Sequence, residues 1–173
     1  MAYTYSKIAS VTVGSGGSSS INFIAIPQNY TDLILKLSAR DDTAGTYVNM
    51  KIDFNSNLTS SNYCRLLLYA VDTNPTSVLQ CNHNWPYANG SGTTANTFSN
   101  VEFYISNYAS NTQIKVASSD QVVENNSASP HLLTLMAHNT TFSDPIKSIG
   151  LTQFSGLLTQ YSTATLYGIK AEV

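Results

Sequence analysis

The chain has 173 residues, 42% of them hydrophobic and only 10% charged, against about 25% charged in typical soluble proteins. Its 8 Lys+Arg and 10 Asp+Glu give a net charge of -2. That excludes the basic stripe that displaces counterions from a phosphate backbone, and nucleic acid is not expected as a partner. Eleven Tyr and 6 Phe at such low charge exclude a disordered chain as well.

A length of 173 residues suits one domain over 1–173, with a short arm at 1–6. The N-terminus, Met1-Ala-Tyr-Thr-Tyr-Ser-Lys7, lacks the basic segment and apolar run of a secretion signal, and no stretch is long and apolar enough to span a membrane. No membrane partner is expected. Cys64 and Cys81 form neither a CxxC pair nor the density of a disulfide scaffold, so folding is expected not to depend on oxidation.

In chain order, a first strand is expected over 7–13. The turn Gly14-Ser-Gly-Gly-Ser-Ser-Ser20 then leads to a hairpin partner at 21–26, which Pro27 stops. Residues 33–40 alternate Leu33, Leu35, Leu37 and Ala39 against Ile34, Lys36, Ser38 and Arg40. Residues 47–54 repeat the pattern with Val48, Met50, Ile52 and Phe54 inward, and the two strands form the hydrophobic centre.

Residues 62–70 read as a strand, although Leu66-Leu-Leu68 also suits a short helix. Asn74-Pro75, Trp85-Pro86 and Asn89-Gly90 make 72–95 largely a long loop, with one short strand at 77–81. Strands follow at 97–106, 113–118, 131–138, 146–153 and 163–173, with a polar connector at 120–129 that holds a short extended piece, Val122-Val123. In the closing strand Thr163, Thr165, Tyr167 and Ile169 face one way and Ala164, Leu166, Gly168 and Lys170 the other. About ten short strands, with little or no helix, predict an all-β fold: an antiparallel β-sandwich of jelly-roll type.

No nucleophile elbow, phosphate loop, HExxH site or Cys/His zinc pattern occurs, and no catalytic residue, cofactor or metal ligand is nominated. His83, His131 and His138 have no carboxylate at a recognisable spacing. Arg40-Asp41-Asp42 before Gly45 offers oxygens to a calcium ion, but the spacing is not that of an EF-hand loop and reads as a solvated turn. The loop from Cys81 to Gly90 gathers His83, Trp85 and Tyr87 among amides, a composition that suits a sugar ring or a partner surface; the alternative is that Trp85 plugs one end of the sandwich. Tyr3 and Tyr5 on the N-terminal arm are further candidates, docking on a neighbouring chain or on the chain's own surface.

Several blocks coincide in order with a known group: Lys7-Ile-Ala-Ser-Val-Thr-Val-Gly-Ser-Gly-Gly17, Ile26-Pro27, Tyr30-Thr-Asp-Leu-Ile-Leu-Lys-Leu-Ser-Ala-Arg40, Phe98-Ser-Asn100, Tyr104-Ile105, Asn107-Tyr-Ala109 and Tyr161-Ser-Thr-Ala-Thr-Leu-Tyr-Gly-Ile169. With these the chain resembles small virion structural proteins of tailed bacteriophages, particularly of aquatic and cyanobacterial hosts. Residues 72–95 depart from that likeness. The resemblance implies a non-enzymatic β-sandwich on the virion surface, assembled in the bacterial host cytoplasm. The first expectation is a capsid decoration (cement) protein, a homotrimer that binds the major capsid protein. The alternative is a tail-fibre or spike module that binds host-surface glycan through Trp85 and Tyr87. A third reading, a polysaccharide hydrolase, requires two carboxylates facing one cleft.

Overall fold

The computed structural model describes residues 3–81, 86–123 and 132–171. Among them run twelve strands: β1 (Tyr3–Thr12), β2 (Ser20–Phe23), β3 (Asp32–Ala39), β4 (Tyr47–Phe54), β5 (Tyr63–Val71), β6 (Asn74–Cys81), β7 (Tyr87–Asn89), β8 (Ser99–Ser106), β9 (Val116–Val123), β10 (Leu132–Thr140), β11 (Ile149–Gln153) and β12 (Thr163–Ala171). One short 3-10 turn, Ser60–Asn62, precedes β5. The strands form an eight-stranded sheet, in the order β1-β12-β3-β8-β9-β10-β5-β6, and a four-stranded sheet, in the order β2-β11-β4-β7.

Eight of these strands make a jelly roll. β1 pairs with β12, β2 with β11, β3 with β8 and β4 with β7, all antiparallel. Successive pairs thus alternate between the two sheets, as a long hairpin does when it is wound into a double Greek key. The remaining four strands arrive as two hairpins, β5–β6 between β4 and β7, and β9–β10 between β8 and β11. Both join the large sheet beyond β8 and extend it sideways.

The expected hairpin of 7–13 with 21–26 does not form, because β1 and β2 lie in different sheets. The segment between them crosses the roughly 10 Å that separates packed sheets, held by Ser18, whose backbone exchanges hydrogen bonds with Leu158. The expected arm is also absent over Tyr3 to Ser6, which pair residue by residue with β12 from Tyr3↔Ala171 to Ser6↔Gly168. Leu66-Leu-Leu68 lies in a strand, and β7 is a strand within what reads as loop.

Between the sheets lies the main core, with Leu33, Leu35, Leu37, Val101, Phe103, Ile105 and Leu166 from the large sheet facing Ile21, Met50, Ile52, Phe54, Ile149 and Leu151 from the small one. Each such side chain contributes roughly 1.5–3 kcal/mol by leaving water. A second, smaller cluster of Leu67, Tyr87, Val123, Leu132 and Met136 lies under the added strands.

Cys64 and Cys81 correct the expectation from composition: they are bonded to each other, with Cα atoms 3.9 Å apart. The register of β5 against β6 places them directly opposite one another.

Candidate interaction face

The outward surface of the large sheet changes character at β9. Over the jelly-roll half it is mainly polar, with Tyr5, Ile34 and Tyr167 set among hydroxyls and charges. Ser10 Oγ lies 2.8 Å from Thr165 Oγ1 and Thr12 Oγ1 3.2 Å from Thr163 Oγ1, while Lys36 Nζ is 2.8 Å from Glu102. Such cross-strand hydroxyl and charge pairs belong on a wetted sheet face.

Over the added strands most outward positions are apolar, with Ser77, Ser118, Asp120 and Asn139 among them. Cross-strand register aligns Leu135 with Leu68, Ala137 with Leu66, and Leu66 with Leu79. Leu133 lies between Val122 and Ala70. Five leucines are each more than half exposed: Leu66 51%, Leu68 53%, Leu79 68%, Leu133 51% and Leu135 52%. Val116, Val122 and Tyr104 widen the patch. Three shallow depressions of about 450, 410 and 350 Å³ run between the leucine rows.

The inward surface of the same strands mixes the smaller apolar cluster with an unusual number of polar groups. Arg65, Ser119, Gln121, Thr134 and His138 are all buried there. Arg65 donates from Nη2 to Gln80 Oε1 at 2.6 Å, and its guanidinium lies 6.0 Å from the centre of the Tyr87 ring. Gln121 Oε1 accepts the Tyr87 N–H at 2.8 Å, and Ser119 Oγ lies 2.8 Å from His138 Nε2. Burial, with the nearby Arg65 charge adding to it, pushes the His138 pKa down to about 3, so the imidazole is neutral at ordinary pH. The added half of the sheet thus departs from the usual pattern, with buried polar groups that bond one another or, as at Thr134 Oγ1, find no partner among the described residues, and with leucines facing water.

The residues singled out from sequence are scattered by this fold. Tyr87 is not a surface aromatic. It sits on β7 with 9% of its surface exposed, packed edge-on against Tyr47 at 5.5 Å and against the smaller core cluster. Pairing with β4 turns this ring beneath the added strands, which removes it as a sugar platform. Tyr5 is 60% exposed on β1, beside a depression of about 310 Å³ lined also by Ile34, Lys36, Glu102 and Tyr167. Tyr3 belongs to β1, opposite Ala171, and its side chain is outside the description. His83, Trp85 and His131 lie outside the described residues.

At the Asp41-Asp42 turn the carboxylates hold backbone. Asp41 Oδ1 accepts the Thr43 N–H at 2.6 Å and Asp42 Oδ1 the Leu157 N–H at 2.8 Å. Gly156, at φ +72°, lets the two loops meet, since a Cβ there would strike Thr43 Oγ1 and Asp42 Oδ1. No group of three or more His, Cys, Asp or Glu converges as a metal site among the described residues.

Sequence reasoning missed the leucine face, although a signal was present. Leu132-Leu-Thr-Leu-Met136 puts apolar residues on both faces of one strand, which an antiparallel sheet with one wet face does not need. Searches for relatives return nothing: no family model, curated protein or solved structure matches the chain.

Proposed function

We propose that this chain is a non-enzymatic structural protein of a virus particle, a capsid decoration protein that docks on the major capsid protein as a homo-oligomer and braces the head. The leucine face carries this reading. Monomeric proteins rarely leave more than a few hundred Å² of contiguous apolar surface in water, and larger patches mark places where another molecule sits. The eight apolar side chains of the face expose on the order of 700 Å², close to the ~800 Å² per partner of a standard protein interface.

Two further observations support it. The jelly roll is an architecture of viral capsid and lectin domains, an analogy of fold that assigns no function by itself. The Cys64–Cys81 bridge suits a particle surface, where surroundings are oxidising, better than the cytoplasm in which the chain is synthesised. On this reading the chain is made and assembled in the host cytoplasm and the bridge closes after release.

The rival readings have less behind them. Glycan binding by a tail-fibre module loses Tyr87 to the core. A hydrolase needs paired carboxylates in a cleft, but Glu102 and Asp120, neighbours across β8 and β9, stand on the open face, and Lys36 holds Glu102. Cryo-electron microscopy of particles made with and without this chain tests the proposal. Added density on the outside of the head, lost when the chain is omitted, is the expected result. A label found only at the tail, or no binding to particles, overturns it.

A further inference from the structure

We infer that the leucine face is covered by a second copy of this chain, the two large sheets packing face to face about a two-fold axis near Leu68 and Leu135. The inference rests on the reading above only in taking this face as a working contact, and it names the occupant.

Area is the first reason. Two copies that each cover on the order of 700 Å² bury about 1,400 Å² between them, within the 1,200–2,000 Å² of a specific stable interface. The second reason is the charge pattern. Leu66, Leu68, Leu133, Leu135 and Ala137 form the middle of the face with no ionisable side chain among them; Asp120 stands one strand over, directly opposite Leu135, and the Lys36–Glu102 pair lies beyond it on the β8 side. An interface whose centre is uncharged and whose rim is charged has the usual anatomy of a protein contact. Such a centre is also compatible with its own copy, because no like charges meet at the axis.

The third reason is symmetry. Of the other large exposed apolar side chains, Ile24, Leu58, Ile114, Phe154, Leu157 and Tyr161 lie in the loops, and Tyr5 on β1 and Tyr47 on β4 stand singly in different sheets, so among the described residues no second row of exposed leucines is available as a complementary patch. A patch that must serve as its own complement gives an isologous, two-fold contact, whereas a closed trimer needs two different patches. Sheet-on-sheet packing at about 10 Å suits the relief, since leucine rows of one copy fit the depressions of the other.

Light scattering on the full chain after size exclusion, with Leu68→Lys/Leu135→Lys beside it, tests this. Both positions face water in the isolated subunit, so the variant is expected to fold, and thermal melting monitors that. The wild type is expected at twice its 18.7 kDa mass. The variant is expected as a monomer, with association weakened roughly 30-fold or more per lysine, the scale of a central interface contact. Leu68→Ser, a milder change, is expected to weaken the dimer in the same direction, which keeps the test open should the double variant fold poorly. A wild-type monomer or trimer at micromolar concentration, or a dimer indifferent to all these substitutions, overturns the inference. A monomer that still decorates particles overturns the dimer and leaves the decoration reading standing. A dimer that the substitutions dissociate but that ignores particles supports this inference while sinking that reading.

Discussion

The two halves of the large sheet obey opposite rules. In β12, β3 and β8 the inward positions are Ala164, Leu166, Leu33, Leu35, Leu37, Val101, Phe103 and Ile105, and the outward ones are mostly hydroxyls, amides and one ion pair. In β9, β10 and β5 the inward set includes Ser119, Gln121, Thr134, His138 and Arg65 beside the smaller core cluster, and the outward set is mainly leucine and valine, with Ser118, Asp120 and Asn139 among them. The jelly-roll half has the pattern of a sheet whose only apolar partner is the rest of its own chain. The added half has the pattern of a sheet that awaits a partner on its outer face. Stability should therefore reside mainly in the first half and association in the second.

The largest effect should come from the jelly-roll core. Leu35 is wholly buried between the sheets, and Leu35→Ala should cost 2–5 kcal/mol in urea unfolding, by analogy with other large-to-small core changes, roughly at the scale of a whole small domain's margin. A cost below about 1 kcal/mol would break the division between the halves. Next is the bridge at the outer edge of the added half. Reduction of Cys64–Cys81 opens a link between residues 17 apart, for which loop closure gives about 3 kcal/mol. Because the loop is local, hydrogen exchange after reduction should rise first along β6 and β5 and leave β3 and β8 protected.

That bridge also shows what could be read in advance. β5 and β6 are joined by Asp72-Thr73 alone, with Val71 opposite Asn74. Counting seven residues outward from that pair lands on Cys64 and Cys81, so the disulfide follows once the turn is placed. The turn was hidden because Asp72, at φ 54°, occupies a left-handed position that Gly more often marks. Alternation located β3 and β4 closely, since one face of each is dry, and it fixed the two faces of β12. Gly168 in β12 has a local cause, because a Cβ there would collide with the Tyr30 ring. Partner choice was not legible, since alternation says which face is buried but not which strand lies alongside. β7 escaped notice because three residues between Trp85-Pro86 and Gly90 are too few to show a period. Leu66 and Leu68 were visible as apolar, but their exposure depends on β5 joining the sheet beyond the reach of the small one.

The added half should be the more acid-sensitive. His138 has its folded pKa pushed down to about 3 by burial and by Arg65, against about 6.5 in the unfolded chain. The unfolded state therefore takes up the proton first. Stability from this group is complete above about pH 6.5 and falls, by at most about 1.4 kcal/mol per pH unit, as pH drops toward 3. Asp41 and Asp53, whose pKa values burial raises, work in the opposite direction, because protonating them in the folded state relieves a buried charge. The slope of urea-unfolding free energy between pH 7 and pH 4.5 should consequently be steeper in the wild type than in His138→Gln. Equal slopes would remove the added half as the source.

The smallest effect is the one that separates the two halves most sharply. Leu135→Ser alters a leucine as large as Leu35, but at 52% exposure it leaves no cavity and desolvates nothing. In the dissociated subunit its unfolding free energy should move by less than about 0.5 kcal/mol, the range of ordinary surface substitutions. At concentrations where copies associate, the same change should lower the melting temperature, because it removes a contact that only the assembled state makes. Melting curves of wild type and variant should therefore coincide in dilute solution and part as concentration rises. If they differ by more than about 1 kcal/mol when dilute, Leu135 is packed by its own chain and the outward half belongs to the core after all.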